Sequence, residues 1–169
     1  DKKLKMTINV ESKASIYNLT GSDLVIDLNI LSDVKVKLVN MNITKNKVVN
    51  VVNVYHESIN CVSDLYCYGI SYLTGDLKFI VNSYIRKNMT GVICNQVSRT
   101  INLDDATSLI EPNLFVDEFS ALANHSAYTG PFNKDDLFYL KTKGISQREA
   151  FNLLLKGFMK LDELPKDYE

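Results

Sequence analysis

Between residues 4 and 129, apolar side chains recur at every second position in short runs that are broken by Asn, Asp, Gly and Ser. A period of two is the mark of strands with one face turned inward. The clearest run is Ile26, Leu28 and Ile30. Val34, Val36 and Leu38 follow on one parity, after which Val39, Met41 and Ile43 occupy the other. Such a switch predicts a bend or bulge, beyond which the opposite set of side chains faces inward. Further runs fall at 48–55, 77–85 and 114–119. The region needs no amphipathic helix, and its single proline, Pro112, leaves nearly all backbone donors free for pairing. Short strands at this spacing suit a sandwich and a stacked β-solenoid equally, and no repeat motif separates the two.

At Asn133 the period lengthens to that of a helix. Asn133 is a suitable N-cap with Asp136 three residues on, near the positive end of the helix, and Gly144 marks its stop. Ser146 followed by Glu149 forms a capping box that opens a second helix, which runs until shortly before Pro165. The predicted helices are 134–142 and 147–161. In the second, Ala150, Leu154, Phe158 and Leu161 make one buried stripe. Leu153, Leu155 and Met159 lie partly off it, which points to a second contact, either with a deeper core or with a partner protein. The expected organisation is a β body over 1–129 and a helical subdomain over 130–169.

Composition narrows the function. With 46% hydrophobic and 23% charged residues in 169, the chain is an ordinary globular sequence, able to bury roughly 70% of its unfolded surface in one core. A net charge of -1 and a pI near 6.2, with no basic cluster, exclude the positive field that nucleic acid requires. The N-terminal residues hold no apolar run long enough for a signal peptide or a membrane span, so a cytoplasmic protein without a membrane partner is expected. The chain opens at Asp1 rather than Met, which points to a preceding segment. Cys61, Cys67 and Cys94 form no C-x-x-C pair, and their odd number suits reduced thiols rather than a disulfide framework. There is no Gly-rich phosphate loop, no G-x-S-x-G and no H-E-x-x-H, and two histidines are few for a catalytic triad. No enzymatic activity is expected.

The stretch ANHSAYTGPFNKDDLFYLKTKGISQREAFNLLLKGFM, from Ala123 to Met159, resembles the C-terminal segment shared by the SufB and SufD proteins of iron-sulfur cluster assembly. Upstream, VYHESINCVSDLYCYGIS, from Val54 to Ser71, is similar to the family's His-x-x-x-Asn-Thr passage, with Cys61 in the threonine position. The Pro112 to Leu114 step also has its counterpart, so the resemblance covers about residues 54 to 160. The first fifty residues match only in pattern. The resemblance implies a right-handed parallel β-helix followed by a two-helix subdomain. It also implies pairing with another SufB/SufD-like subunit, as a homo- or heterodimer, and docking of a SufC-type ABC ATPase. The chain is then a scaffold on which an iron-sulfur cluster is transiently built, not the ATPase.

His125 matches the family's histidine near the scaffold interface, where a neutral imidazole could ligate iron or relay a proton. The plainer reading is a histidine hydrogen-bonded at the last rung. Ser126 stands where SufB-type members carry Glu and SufD-type members Gly, and the SufB-type cysteine before Pro112 is replaced by Ala106 or a neighbour. These departures place the site nearer SufD. Cys61 is a weaker candidate ligand, since five residues separate it from Cys67 and extended chain would hold the two roughly 20 Å apart. Small buried thiols are the plainer reading of all three cysteines. His56 lies in the matched passage. Asp104 and Asp105, being adjacent, belong to a turn. Phe138, Leu154 and Phe158 are the expected ATPase contacts. Two alternatives stand beside the scaffold: a degenerate, self-pairing member with no assembly role, and a β-helix carbohydrate-active enzyme, for which the strands offer few clustered acids.

Overall fold

The computed structural model describes residues 4–160. Two compact units are present, Asp1–Gly130 and Pro131–Glu169. In the first, ten strands follow one another: β1 Leu4–Val10, β2 Ala14–Thr20, β3 Leu24–Ile30, β4 Lys35–Thr44, β5 Lys47–His56, β6 Val62–Ser71, β7 Asp76–Ile85, β8 Ile93–Asn102, β9 Thr107–Val116 and β10 Leu122–Pro131. Successive strands alternate between two five-stranded sheets, ordered β1-β3-β5-β7-β9 and β10-β8-β6-β4-β2. The pairings are parallel in both. A chain that pairs each strand only with the strand two before it is a solenoid, here of about four turns. This is the mainly β, parallel β-helix architecture expected above.

Each strand turns alternate residues inward. In the first sheet Ile26, Leu28 and Ile30 of β3 stack beneath Val52, Val54 and His56 of β5, and all are buried. Every fully buried aliphatic side chain of this kind is worth about 1.5–3 kcal/mol. Facing them, Gly69 of β6 leaves room for Leu77 and Phe79: a Cβ there would stand 2.8 Å from the Phe79 ring. The two sheets therefore approach as closely as they do because one inward position carries no side chain.

The predicted switch of parity near Leu38 does not occur. β4 stays in register with β6 from Lys35↔Val62 to Thr44↔Ser71, without a bulge. The inward set continues as Val36, Leu38, Asn40, Asn42 and Thr44, with polar side chains replacing apolar ones. Val39 and Met41 keep the outward parity and are buried there beside Tyr66 and Tyr68 in the register, whereas Ile43 is exposed. The strand is buried on two faces, as parallel strands commonly are, so its apolar residues do not all report one side. The predicted run at 114–119 is also displaced. The strand is Thr107–Val116, and Phe119 lies in the turn after it.

Outward-facing ladders tie the turns together. Asn53 donates to Asp27 (2.8 Å), Asn82 to Asn53 (2.8 Å) and Asn113 to Asn82 (2.9 Å). Two residues along, the rings of Tyr55, Tyr84 and Phe115 stack at 4.9 and 4.8 Å, each pair within 7° of parallel. At the corners Asn60, Leu73, Asn88 and Asp104 take positive φ, which Asn and Asp tolerate and Leu does not favour. Asp104 and Asp105 do form a turn, in which the Asp104 carboxylate accepts the Leu73 N–H at 3.0 Å. Pro112 sits in β9, a strand at the edge of its sheet, where a missing donor is tolerated.

The second unit holds α1 Lys134–Thr142 and α2 Gln147–Met159. Asn133 caps α1 by accepting from the Asp135 N–H, and Gly144 follows with φ +81. Ser146 and Glu149 form the capping box of α2. Ala150 and Met159 are its buried residues, so Met159 belongs to the buried side and not to the periphery of the stripe. Leu161 lies outside the described residues. No helix among the described residues is long and apolar enough to cross a membrane.

Candidate functional site

The parallel register gathers polar side chains inside the solenoid, where the inward faces of the two sheets meet. His56, the last residue of β5, is 1% exposed. Its Nδ1 lies 3.0 Å from the Tyr84 carbonyl oxygen, which can only accept, so Nδ1 carries the proton. Nε2 is then the acceptor for the Ser63 hydroxyl at 2.8 Å. Burial pushes the imidazole below its ordinary pKa, and the neutral ring is the form that this pair of partners requires. Cys94 lies next to Ser63 in the register, and the Ser63 and Ser83 hydroxyls favour its thiolate, opposing part of the upward push of burial. Gln96 donates to the Ser83 hydroxyl at 2.8 Å and to the Asn113 carbonyl at 3.2 Å. A continuous polar line thus runs from the Tyr84 carbonyl through His56, Ser63, Cys94, Ser83 and Gln96 to the last turn.

The three cysteines are buried free thiols. Burial pushes Cys61 up to about 11 and Cys67 up to about 12, and raises Cys94 as well. Since the thiolate is the nucleophile and metal ligand, all three are protonated and unreactive at neutral pH in this conformation. Cys61 also donates its S–H to the Ser58 carbonyl at 3.2 Å.

His125 lies in β10, at the edge of the second sheet. The bonds Asn124 to Asn95 and Thr100 to Thr129 share one sequence separation, 29, which places His125 beside Gln96 on the inward parity. No further strand covers it among the described residues, and it is exposed. It therefore stands at the open end of the polar line. Cys61 is two rungs away and about four residues back along the strand direction, roughly 16 Å. The structure does not bring the two together, and no group of three His, Cys, Asp or Glu among the described residues could hold a metal ion. His125 by itself is one donor and not a site. On the helices, Phe138 is 70% exposed, while Leu154 and Phe158 are half-buried. An open groove of about 480 Å³ lies beside α2, lined by Gly144, Ile145, Glu149, Asn152, Leu153 and Lys156.

This architecture has relatives. The sequence profile described as SUF system FeS cluster assembly, SufBD core domain, matches residues 9–158. The chain belongs to the SufBD core family. The match begins well before residue 54, so the N-terminal turns belong to the family's core although their sequence resembles it only in pattern. An iron-sulfur cluster assembly SufBD family protein of Synechocystis sp. is 37% identical over 67 residues, 38% of this chain and 14% of that protein. Proteins of the same description in Mycobacterium bovis and Mycobacterium tuberculosis are 36% identical over 76 residues, 44% of this chain and 19% of each relative. The matched stretches span less than a fifth of the length of these SufBD relatives.

Sequence reasoning passed over Ser63, Ser83 and Gln96 and undervalued His56. A signal was present, however. β6 and β8 carry Ser63, Cys67, Cys94, Gln96, Ser98 and Thr100 on a single parity, and the core register shows that this is the inward one. Alternation read as apolar-in, polar-out assigns that parity to solvent.

Proposed function

We propose that this chain is the core of a non-catalytic scaffold subunit in an iron-sulfur cluster assembly system. It pairs with another SufB/SufD-like subunit through its β-solenoid and docks a SufC-type ABC ATPase through α1 and α2. The observation that carries this reading is the family match over residues 9–158 of a chain folded as a solenoid plus two helices. Support for the docking surface comes from Phe138, Tyr139 and Leu153, three large apolar side chains left exposed on two short helices. Ser126 and the non-cysteine residue at Ala106 favour a SufD-like role: His125 supplies one donor to a nascent cluster whose remaining ligands come from another subunit. The cluster is cargo, and the chain works in the cytoplasm.

The test is co-elution of the folded chain with the SufC-type ATPase of its own organism, with and without ATP. A complex is expected, and Phe138→Asp should weaken it at least about tenfold, the scale of losing one anchor residue, without unfolding an exposed position. Leu154→Asp and Phe158→Asp should weaken it too, with some loss of helix stability. If a folded chain and an active ATPase fail to associate in either nucleotide state, the docking role is wrong.

A further inference from the structure

Gln96 is 1% exposed, and its two amide atoms meet unlike surroundings. Nε2 lies 2.8 Å from the Ser83 hydroxyl and 3.2 and 3.5 Å from the Asn113 and Val81 carbonyl oxygens. Both carbonyls can only accept, so the atom that faces them is the nitrogen and the orientation of the amide is fixed. The other atom, Oε1, is buried and has no hydrogen-bond partner among the described residues. An acceptor in that position leaves its desolvation uncompensated, and an amide tied down by its nitrogen cannot turn to find a donor.

On one side of Gln96, in β6, its register partner is Leu65, which has no polar side-chain atom. On the other side is β10. The Leu122 N–H donates to the Val92 carbonyl at 2.9 Å, as the Ile93 N–H does to Cys61 where Ile93 faces Val62. Leu122 therefore faces Ile93, and the same offset sets His125 opposite Gln96. The neighbours of His125 on the same parity are Ala123 and Ala127. Of these three only His125 carries a donor, and the two alanines leave its ring room against the sheet. Strands in a sheet lie about 4.8 Å apart, a gap that a ring N–H and a carboxamide oxygen can close without moving the backbone.

We propose that Gln96 is the positioning residue of His125: its Oε1 accepts the N–H of the His125 ring, which fixes the tautomer and aim of the imidazole. The second ring nitrogen is left free at the exposed end of the solenoid, as a ligand for iron. The inference rests on the reading of His125 as a donor to the cluster and names what prepares that donor. A metal-ligating histidine commonly gives its other N–H to a fixed acceptor. Ser83 and the Asn113 carbonyl hold the Gln96 amide, so the aim of the ring is set from the first sheet as well as from its own strand.

Nitrogen-resolved NMR of the full chain reads the bond directly. A ring N–H open to water exchanges too fast to be seen, so the wild type is expected to show two imidazole N–H signals, from His56 and His125. Gln96→Met keeps the length and removes the amide; it should lose the His125 signal and keep that of His56, which also reports an intact interior. Gln96→Glu retains an accepting oxygen and should restore the signal. A folded wild type without a His125 signal, or one that survives in Gln96→Met, overturns the bond. If Gln96→Met does not fold, the wild-type signal alone still decides. In the complex with the ATPase and the pairing subunit, the cluster held, followed by visible absorption, should fall about 10–100-fold in Gln96→Met and at least as far in His125→Ala. A loss in His125→Ala with none in folded Gln96→Met overturns the positioning role and leaves the donor reading intact. No loss in His125→Ala overturns the donor reading itself, even where the NMR signal shows the bond.

Discussion

His56 is enclosed by a carbonyl oxygen on one side and a serine hydroxyl on the other, and burial holds its pKa below the ordinary value, so folding selects the neutral ring. The unfolded chain takes up a proton near pH 6.5, where the folded chain does not. The stabilisation is therefore complete above about pH 6.5 and is lost as the pH falls from there through the depressed folded value. Chemical denaturation at several pH values between neutral and mildly acid should show stability falling with acidity in the wild type. His56→Gln should remove that slope and lower stability at neutral pH by about 1–3 kcal/mol, because one of the two buried partners is left unpaired. An unchanged slope in the variant would assign the pH dependence to other groups.

At the scale of elements, the turns are joined by ladders as well as by packing. Asn82 both donates to Asn53 and accepts from Asn113, so Asn82→Ala interrupts the ladder at its middle and unpairs a half-buried group on each side. A cost of about 1–2 kcal/mol is expected in a denaturant titration, set by two net hydrogen bonds of about 0.5–1.5 kcal/mol each. Asn113→Ala removes only the terminal rung and should cost less. Equal costs would mean that the ladder bonds are too solvated to matter. The same ladder explains why no repeat is visible in the sequence. Its successive members are 26, 29 and 31 residues apart, so the turn lengthens along the solenoid and no fixed period survives.

Over the whole molecule, each strand touches chiefly its neighbours one turn away, so stability is a sum of local interfaces and need not be uniform. The six strands from β3 to β8 are paired on both sides, whereas β1, β2, β9 and β10 are paired on one. Hydrogen exchange followed by mass spectrometry should find the slowest amides in β5 to β7 and the fastest strand amides in β1 and β10. Uniform protection across all ten strands would mean that the solenoid opens only as a unit.

The sequence by itself determined the strand character of the β body, the two helices with their caps, the turn at Asp104 and Asp105, and the family resemblance. Each of these rests on interactions within a few residues or on a contiguous motif: alternation, Asn133 beside its own helix, Ser146 with Glu149. The tertiary structure alone decided which parity of β4, β6 and β8 faces inward, since Asn40, Asn42, Gln96 and Ser98 are polar yet buried. The burial of Asn40 and Gln96 is offset by partners on other strands, Asn18 for Asn40 at 22 residues' distance and Ser83 for Gln96 at 13. It alone decided, too, that Cys61 and His125 stand apart and that His56, Ser63 and Cys94 stand together. Those relations depend on the length of each turn, which the sum of many weak long-range pairings sets and no local pattern encodes.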